Sequence, residues 1–277
     1  IGTPDMHFFV YESYMVFDHK KDKVYILEEA LYSDRSEVDL AASLEHIMAE
    51  LAQPAADEFS PLELSSLNFQ SHIEQAAFEK MVEEARSLIR QGDMFQCVLS
   101  QRFSSEYSGR PLDYYRNLRV TNPSNYLYFY DFGDYQIIGA SPESLVSVKQ
   151  GQVTTNPIAG TRPRGQDERE DKALAEELLA DEKEVAEHRM LVDLGRNDIG
   201  KIAQNNSVEV TKYMEVEYFR YVMHLTSVVR GQLLPQLTAM DALKSTLPAG
   251  TVSGAPKIRA MKRIYELEQE KRGVYAG

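Results

Sequence analysis

Between Met94 and Thr155 the chain offers one short β-prone run after another, and this feature constrains the fold more than any other. The runs are Met94–Phe103, Tyr126–Tyr130, Gln136–Ile138, Leu145–Val148 and Val153–Thr155. Short sequential strands of this kind pair antiparallel. Ahead of them, Phe8–Leu27 reads as two strands joined by the charged turn His19–Lys23, and Ser43–Leu51 as a short helix. The stretch Ala52–Leu67, with two prolines, acids and serines, reads as a surface linker. A helix then follows: Ser71 and Glu74 have capping-box spacing, Phe78, Met81, Val82, Ala85, Leu88 and Ile89 form one face, and Gly92 stands at the end.

After the strands, Glu168 to about Leu194 turns helical, with Leu174, Leu178 and Val185 on one face. Strand-like stretches Val208–Met214 and Val222–Val229 come next, then helices over Ala239–Ser245 and Pro256–Glu270. Strands first, with helices interspersed and later, predict an α+β fold in which helices pack on large sheets. The expected division is 1–67, an amino-terminal remnant with hairpin and linker, and 68–277, one main domain. Ile1 in place of Met, and an ending that reads as a turn into a strand, suggest a fragment.

Charge narrows the chemistry. Thirty Lys+Arg against 43 Asp+Glu leave a net charge of −13, a field that repels phosphate backbones and anionic membrane surfaces. An acidic ligand therefore needs a local basic pocket. A single cysteine, Cys97, excludes an internal disulfide framework and a cysteine-cluster metal site. No apolar run approaches the ~18 residues that a membrane span needs, and no signal-peptide pattern opens the chain; the expected location is the cytoplasm.

Three polar clusters carry chemistry. Asn156–Gly165 follows a strand and combines glycines, Thr161 and the pair Arg162 and Arg164, which are able to bind carboxylates bidentately; it reads equally as a rigid surface turn. Asp181–His188 sets Glu184 and Glu187 at i, i+3 on one helical face, hard oxygen donors suited to Mg²⁺, or else a solvated charged face. A zinc pair of Glu184 with His188 lacks a third ligand nearby. Leu247–Lys257 places Ser253, Gly254 and Pro256 at a helix start, either an anion site on free amides or a plain helix beginning. His224 lies in an apolar β-like run and reads as a hydrogen-bonded core residue on that ground alone. Tyr126, Tyr128 and Tyr130 read as the core face of a strand.

Together, Gly92–Phe103, Gly139–Glu143, Pro157–Gly165, Glu184–Asp198, His224–Ser227 and Pro248–Lys257 resemble the chorismate-utilising enzymes, and within them the anthranilate synthase branch. The match runs in the family's order from about Asn68 to Gly277. It implies a two-layer, sandwich-like α+β fold of large antiparallel sheets with helices outside. It also implies a Mg²⁺-dependent reaction in which ammonia adds at C2 of chorismate, the C4 hydroxyl leaves, and pyruvate elimination aromatises the ring.

By position in the motifs, Glu187, and Glu184 through water, correspond to the Mg²⁺ site, His224 to the histidine beside the leaving hydroxyl, and Glu143 to its partner acid. Gly160, Thr161 and Thr251 correspond to substrate-carboxylate contacts, and Asn125, Tyr126 and Leu127 to part of a tryptophan inhibitor site. Gln96 stands where isochorismate and salicylate synthases carry a lysine base, and Ala159 where aminodeoxychorismate synthases commonly carry a lysine nucleophile. The resemblance also implies a glutamine amidotransferase partner that supplies ammonia. It leaves two other readings open, an aminodeoxychorismate synthase and a non-catalytic truncated member. The family's closing segment follows the position of Gly277, so the 277 residues alone are expected to be inactive or badly impaired.

Overall fold

The computed structural model describes residues 4, 6–54, 67–268 and 270–275. Two compact units divide the chain, residues 1–60 and 61–277. Residues 55–66, most of the expected linker, lie outside the described residues, as does residue 269 within the expected last helix.

In the first unit, β1 (Ser13–Asp18) and β2 (Lys23–Glu28) form an antiparallel hairpin, and α1 (Glu37–Leu51) follows. The helix starts six residues before the expected position because Ser36 and Asp39 close a reciprocal capping box. Glu12 accepts backbone N–H bonds from Leu31, Tyr32 and Ser33 and a hydroxyl bond from Ser33. Those donors, the Ser33 hydroxyl first, lower its pKa to about 2.

The second unit runs β3 (Gln70–Ser71), α2 (Gln75–Arg90), β4 (Gln96–Cys97), β5 (Phe103–Ser104), α3 (Pro111–Thr121), β6 (Tyr126–Asp131) and β7 (Gln136–Ser141). There follow β8 (Ser147–Lys149), β9 (Gln152–Thr155), β10 (Ile158–Pro163), α4 (Glu168–Ala180) and α5 (Glu182–Gly200). Last come β11 (Glu209–Tyr218), β12 (Val222–Gln232), α6 (Ala239–Thr246), β13 (Gly254–Ala255) and α7 (Lys257–Glu268).

The organising layer is a five-stranded antiparallel sheet, ordered β10-β12-β9-β8, with β11 also paired to β12. The fold is α+β, as expected. Among the described residues the other pairings are two-stranded: β13 with β4, β3 with β5 and β6 with β7. Helix α5 covers the large sheet by burying His188, Leu191, Val192, Gly195, Asp198 and Ile199, a spacing that keeps one face inward. Gly195 permits this approach, since a Cβ there would lie 3.1 Å from the Thr155 methyl group. Val192 and Ile199 join Val153, Val229 and Leu233 in one cluster, while Ala175, Leu178, Met223 and Leu225 form a second under α4.

Several local expectations are corrected. Ser71 belongs to β3, its hydroxyl donates to the Ile73 carbonyl, and α2 begins after Glu74 without a side-chain cap. Met94–Phe103 is not one strand, because the Ser100 N–H donates to the Glu268 carboxylate instead of a neighbouring strand. The single helix expected over Glu168–Leu194 breaks at Asp181, whose carboxylate accepts from the backbone of Lys183 and Glu184 and so starts α5. Tyr126, Tyr128 and Tyr130 are exposed, while the alternate Leu127 and Phe129 turn inward and Phe129 meets Tyr115 of α3 edge-on. The strand alternation held; its apolar face is the opposite one.

One glycine is required where β13 meets β4. Gly254 has φ +137°, and a Cβ there would collide with the Gln96 carbonyl oxygen. Gly254→Ala is expected to cost about 3 kcal/mol, combining backbone strain and overpacking, measured as a loss in denaturant unfolding free energy.

Candidate functional site

The site lies along α5, where it faces β10, β12 and the segments joining α6 to β13. At its first end, a bulge in β10 between Ala159 and Thr161 leaves Gly160 at φ +78°. A Cβ at Gly160 would sit 3.1 Å from Leu178 and 3.3 Å from Leu225, with the Glu184 Oε2 atom in contact distance at 3.4 Å, so the positive φ and the close leucines both favour glycine here. Thr161 pairs directly across the ladder with His224. His224 Nδ1 is 3.1 Å from the Gly160 carbonyl and 3.0 Å from the Thr161 hydroxyl. A carbonyl can only accept, so Nδ1 carries the proton and Nε2 is left as the nitrogen that takes up or releases one. Phe219 packs edge-on against the imidazole. His224 is therefore a half-buried, oriented side chain and not a core residue.

Glu184 and Glu187 project from the opening turns of α5. Asp181 fixes their start: it caps the helix and accepts from Arg162 at 2.9 Å, and the Glu184 N–H foremost, with Arg162, lowers its pKa. Glu187 Oε1 accepts from Gln96 Nε2 at 3.0 Å, while the Gln96 Oε1 atom is buried with no hydrogen-bond partner. Glu184 and Glu187, one helical turn apart on α5, and the unpartnered oxygen of the Gln96 amide that bonds Glu187 are all hard oxygen donors. Magnesium commonly takes one or two protein carboxylates and fills its shell with water and substrate oxygens, so these residues fit it. Among the described residues, no three His, Cys, Asp or Glu side chains gather in a metal-holding cluster.

The zinc pairing of Glu184 with His188 does not fit. His188 is fully buried, and its Nε2 lies in a 2.6 Å hydrogen bond with Ser227 Oγ, which also accepts from the Met214 N–H. Burial lowers the His188 pKa to about 4, so the ring is neutral near pH 7. Its Nδ1 is buried without a hydrogen-bond partner of normal geometry, and the Ala159 backbone pulls the pKa upward against the larger effect of burial.

At the other end of the site, Ser141 closes a tight turn that presents Glu143, and Glu143 Oε2 accepts from Thr251 Oγ1 at 2.7 Å. Burial raises the Glu143 pKa above the ordinary carboxyl value, against the lowering pull of Thr251. Glu143 and Thr251 line a cavity of about 30 Å³ together with Leu191, Gly195, Asp198 and Lys257. Lys257 is buried there, donating to Asp198 Oδ2 and the Thr246 carbonyl, both at 2.5 Å. This pair, which ties α7 to α5, gave no signal in the sequence beyond two charged residues 59 positions apart.

Other sequence candidates serve the scaffold. Arg162 is bound to Glu177 and Asp181, and Arg164 to Asp171 and the Phe219 carbonyl, so neither guanidinium is the free carboxylate clamp that the loop suggested. Ser253 is buried with its hydroxyl donating to Ala249. Glu143 and His224 sit in separate hydrogen-bonded pairs, the first with Thr251 and the second with Thr161 and Gly160. Asn125 and Tyr126 are exposed at the start of β6, with Leu127 half-buried.

The strand–bulge–helix frame and its paired carboxylates belong to a recognisable class: all of residues 1–277 match the chorismate binding enzymes, and the chain is a member of that family. Over its whole length it is 57% identical to "Anthranilate synthase component 1" of Lactococcus lactis and 45% identical to the Pseudomonas aeruginosa protein of the same name. It covers 61% and 57% of those proteins, so the chain spans about three fifths of the length of the curated relatives it matches. A crystal structure of anthranilate synthase component I from Streptococcus pneumoniae superposes with a TM-score of 0.92 at 74% identity, covering all of this chain and 62% of that one. The Escherichia coli isochorismate synthase MenF shares the fold at a TM-score of 0.76 and 23% identity, over 92% of this chain and 59% of that one.

Proposed function

We propose that the protein containing this chain is the chorismate-converting subunit of an anthranilate synthase, with residues 68–277 forming part of its catalytic domain. The observation that carries the reading is the pairing of Glu187 with Gln96, together with the Thr161–His224 pair, in a chain 57% identical to a relative of that name. Gln96 is an amide, and an amide is no base at neutral pH, so it does not activate water; that leaves ammonia as the nucleophile at ring C2. Ala159, which has no nucleophilic atom, sets the reading apart from an aminodeoxychorismate synthase that uses a lysine there.

The leaving C4 hydroxyl needs a proton. His224, in its imidazolium form, is oriented to give one from Nε2, and burial pushes the Glu143 pKa upward, favouring its protonated form, while Thr251 donates to one of its oxygens. The Gly160 bulge, Thr161 and Thr251 receive the substrate carboxylates. A magnesium ion held by Glu187, and by Glu184 through water, would supply charge neutralisation at the ring carboxylate. A glutamine amidotransferase subunit supplies ammonia, tryptophan acts as feedback inhibitor near Asn125, Tyr126 and Leu127, and the protein works in the cytoplasm. Among the described residues no helix is long and apolar enough to cross a membrane.

The test is anthranilate fluorescence from the complete protein given chorismate, Mg²⁺ and an ammonium salt. Signal that EDTA removes is the expected result, and Glu187→Gln should weaken Mg²⁺ binding, read by calorimetry, by at least about tenfold. Chorismate consumed without anthranilate would move the protein to the aminodeoxychorismate branch. No consumption at all would support a non-catalytic member.

A further inference from the structure

We infer that Arg272 is a positioning residue that holds the main chain next to two functional side chains, Thr251 and Gln96, by bonding to neighbouring backbone carbonyls. Its guanidinium, whose side chain is 14% exposed, donates from Nη1 to the Val252 carbonyl at 2.5 Å and from Nη2 to the Val98 carbonyl at 2.6 Å. Nε and Nη2 also grip the Glu268 carboxylate at 2.9 and 2.6 Å. Glu268, with a side chain 6% exposed, in turn accepts from the Ser100 N–H and hydroxyl at 2.7 and 3.0 Å. One ion pair thus joins the end of α7 to the segment after β4 and to the turn before β13.

Those two segments are the ones that carry the site. Val252 follows Thr251, whose hydroxyl donates to Glu143, and Val98 lies two residues beyond Gln96, whose amide donates to Glu187. Among the described residues a short backbone ladder also links the segments: Phe95 N–H to the Ala255 carbonyl at 2.8 Å, Val98 N–H to the Ser253 carbonyl at 2.9 Å, and the brief β4–β13 pairing. A guanidinium is the one side chain whose planar fork reaches two carbonyls and a carboxylate together; a lysine ammonium is a point charge and holds fewer of them. Removing the fork leaves two half-buried carbonyls without their donor and frees the Thr251 and Gln96 backbones to drift. Small displacements at a reacting centre are costly in rate even when the cause is remote.

The catalytic consequence rests on the functional reading above, so the test has two arms. In the complete protein, Arg272→Met is expected to lower kcat for anthranilate about 10- to 100-fold while KM for chorismate changes less than about threefold. Arg272→Lys should recover only part of that loss, and it carries the test where Arg272→Met does not fold. Because Arg272 acts partly through Thr251, the same change made in a Thr251→Val background should cost clearly less than it does in the unsubstituted protein. A fully additive cycle would overturn the proposal. The second arm is amide hydrogen exchange, which needs no turnover: Phe95 and Val98 should exchange faster in the Arg272 variants while the α5 amides keep their protection. Unchanged exchange at Phe95 and Val98 would also overturn it. If the unsubstituted protein makes no anthranilate, the functional reading fails by itself, and the exchange arm still decides whether Arg272 holds these segments.

Discussion

Replacing His224 with alanine is expected to lower anthranilate formation by about 10³-fold, within the range that a positioned general acid or base ordinarily contributes. The loss should fall on kcat, because the imidazole is oriented for proton transfer: Nδ1 is committed to the Gly160 carbonyl, which leaves Nε2 as the working nitrogen. Stability should change little. His224 is half-buried on a strand whose buried neighbours, Met223 and Leu225, are untouched by the substitution. The measurement is anthranilate fluorescence with the complete protein, beside a thermal unfolding curve of each form. Retention of more than about a tenth of the wild-type rate would remove His224 from proton transfer.

Glu143→Gln separates function from stability by sign. Burial raises the folded-state pKa of Glu143 above 4.5, so the folded protein holds this proton more tightly than the unfolded chain does. As pH rises from about 4.5 through the folded-state value, wild type must ionise a buried carboxyl and loses stability. A glutamine has no proton to lose, and its carbonyl oxygen still accepts from Thr251. At pH 8 the variant is therefore expected to unfold at an equal or higher temperature than wild type, with the difference vanishing toward pH 4. Its rate should nonetheless fall about 10²-fold or more, since the transferable proton is gone. A variant that lost stability at pH 8 would contradict the burial argument, and one with full activity would contradict the role.

Much of this was legible in the chain. The α+β class followed from sequential short strands and later helices, while Glu184, Glu187, Thr161, His224 and Thr251 were named as candidates by the resemblance of their motifs. What stayed hidden depended on partners distant in the chain. Arg162 and Arg164 looked like free anion clamps until the fold brought Glu177, Asp181 and Asp171 against them. The tyrosines of β6 looked like core because alternation reports a period and not which phase faces inward. Met94–Phe103 looked like a continuous strand, but Glu268, 168 residues away from Ser100, takes the N–H that a strand partner would have taken.

The division has a physical basis. Short-range features, such as the period of apolar residues, are set by local backbone sterics and hydrogen bonding, so the sequence by itself determined most of the elements and the residue types available for chemistry. Which of those residues are free to act was decided only by tertiary structure. Buried charges and donors must find partners wherever the fold supplies them. The pairs Lys257–Asp198, Gln96–Glu187 and Arg272–Glu268 with Val98 and Val252 therefore exist only once the sheet, α5 and α7 have been packed together.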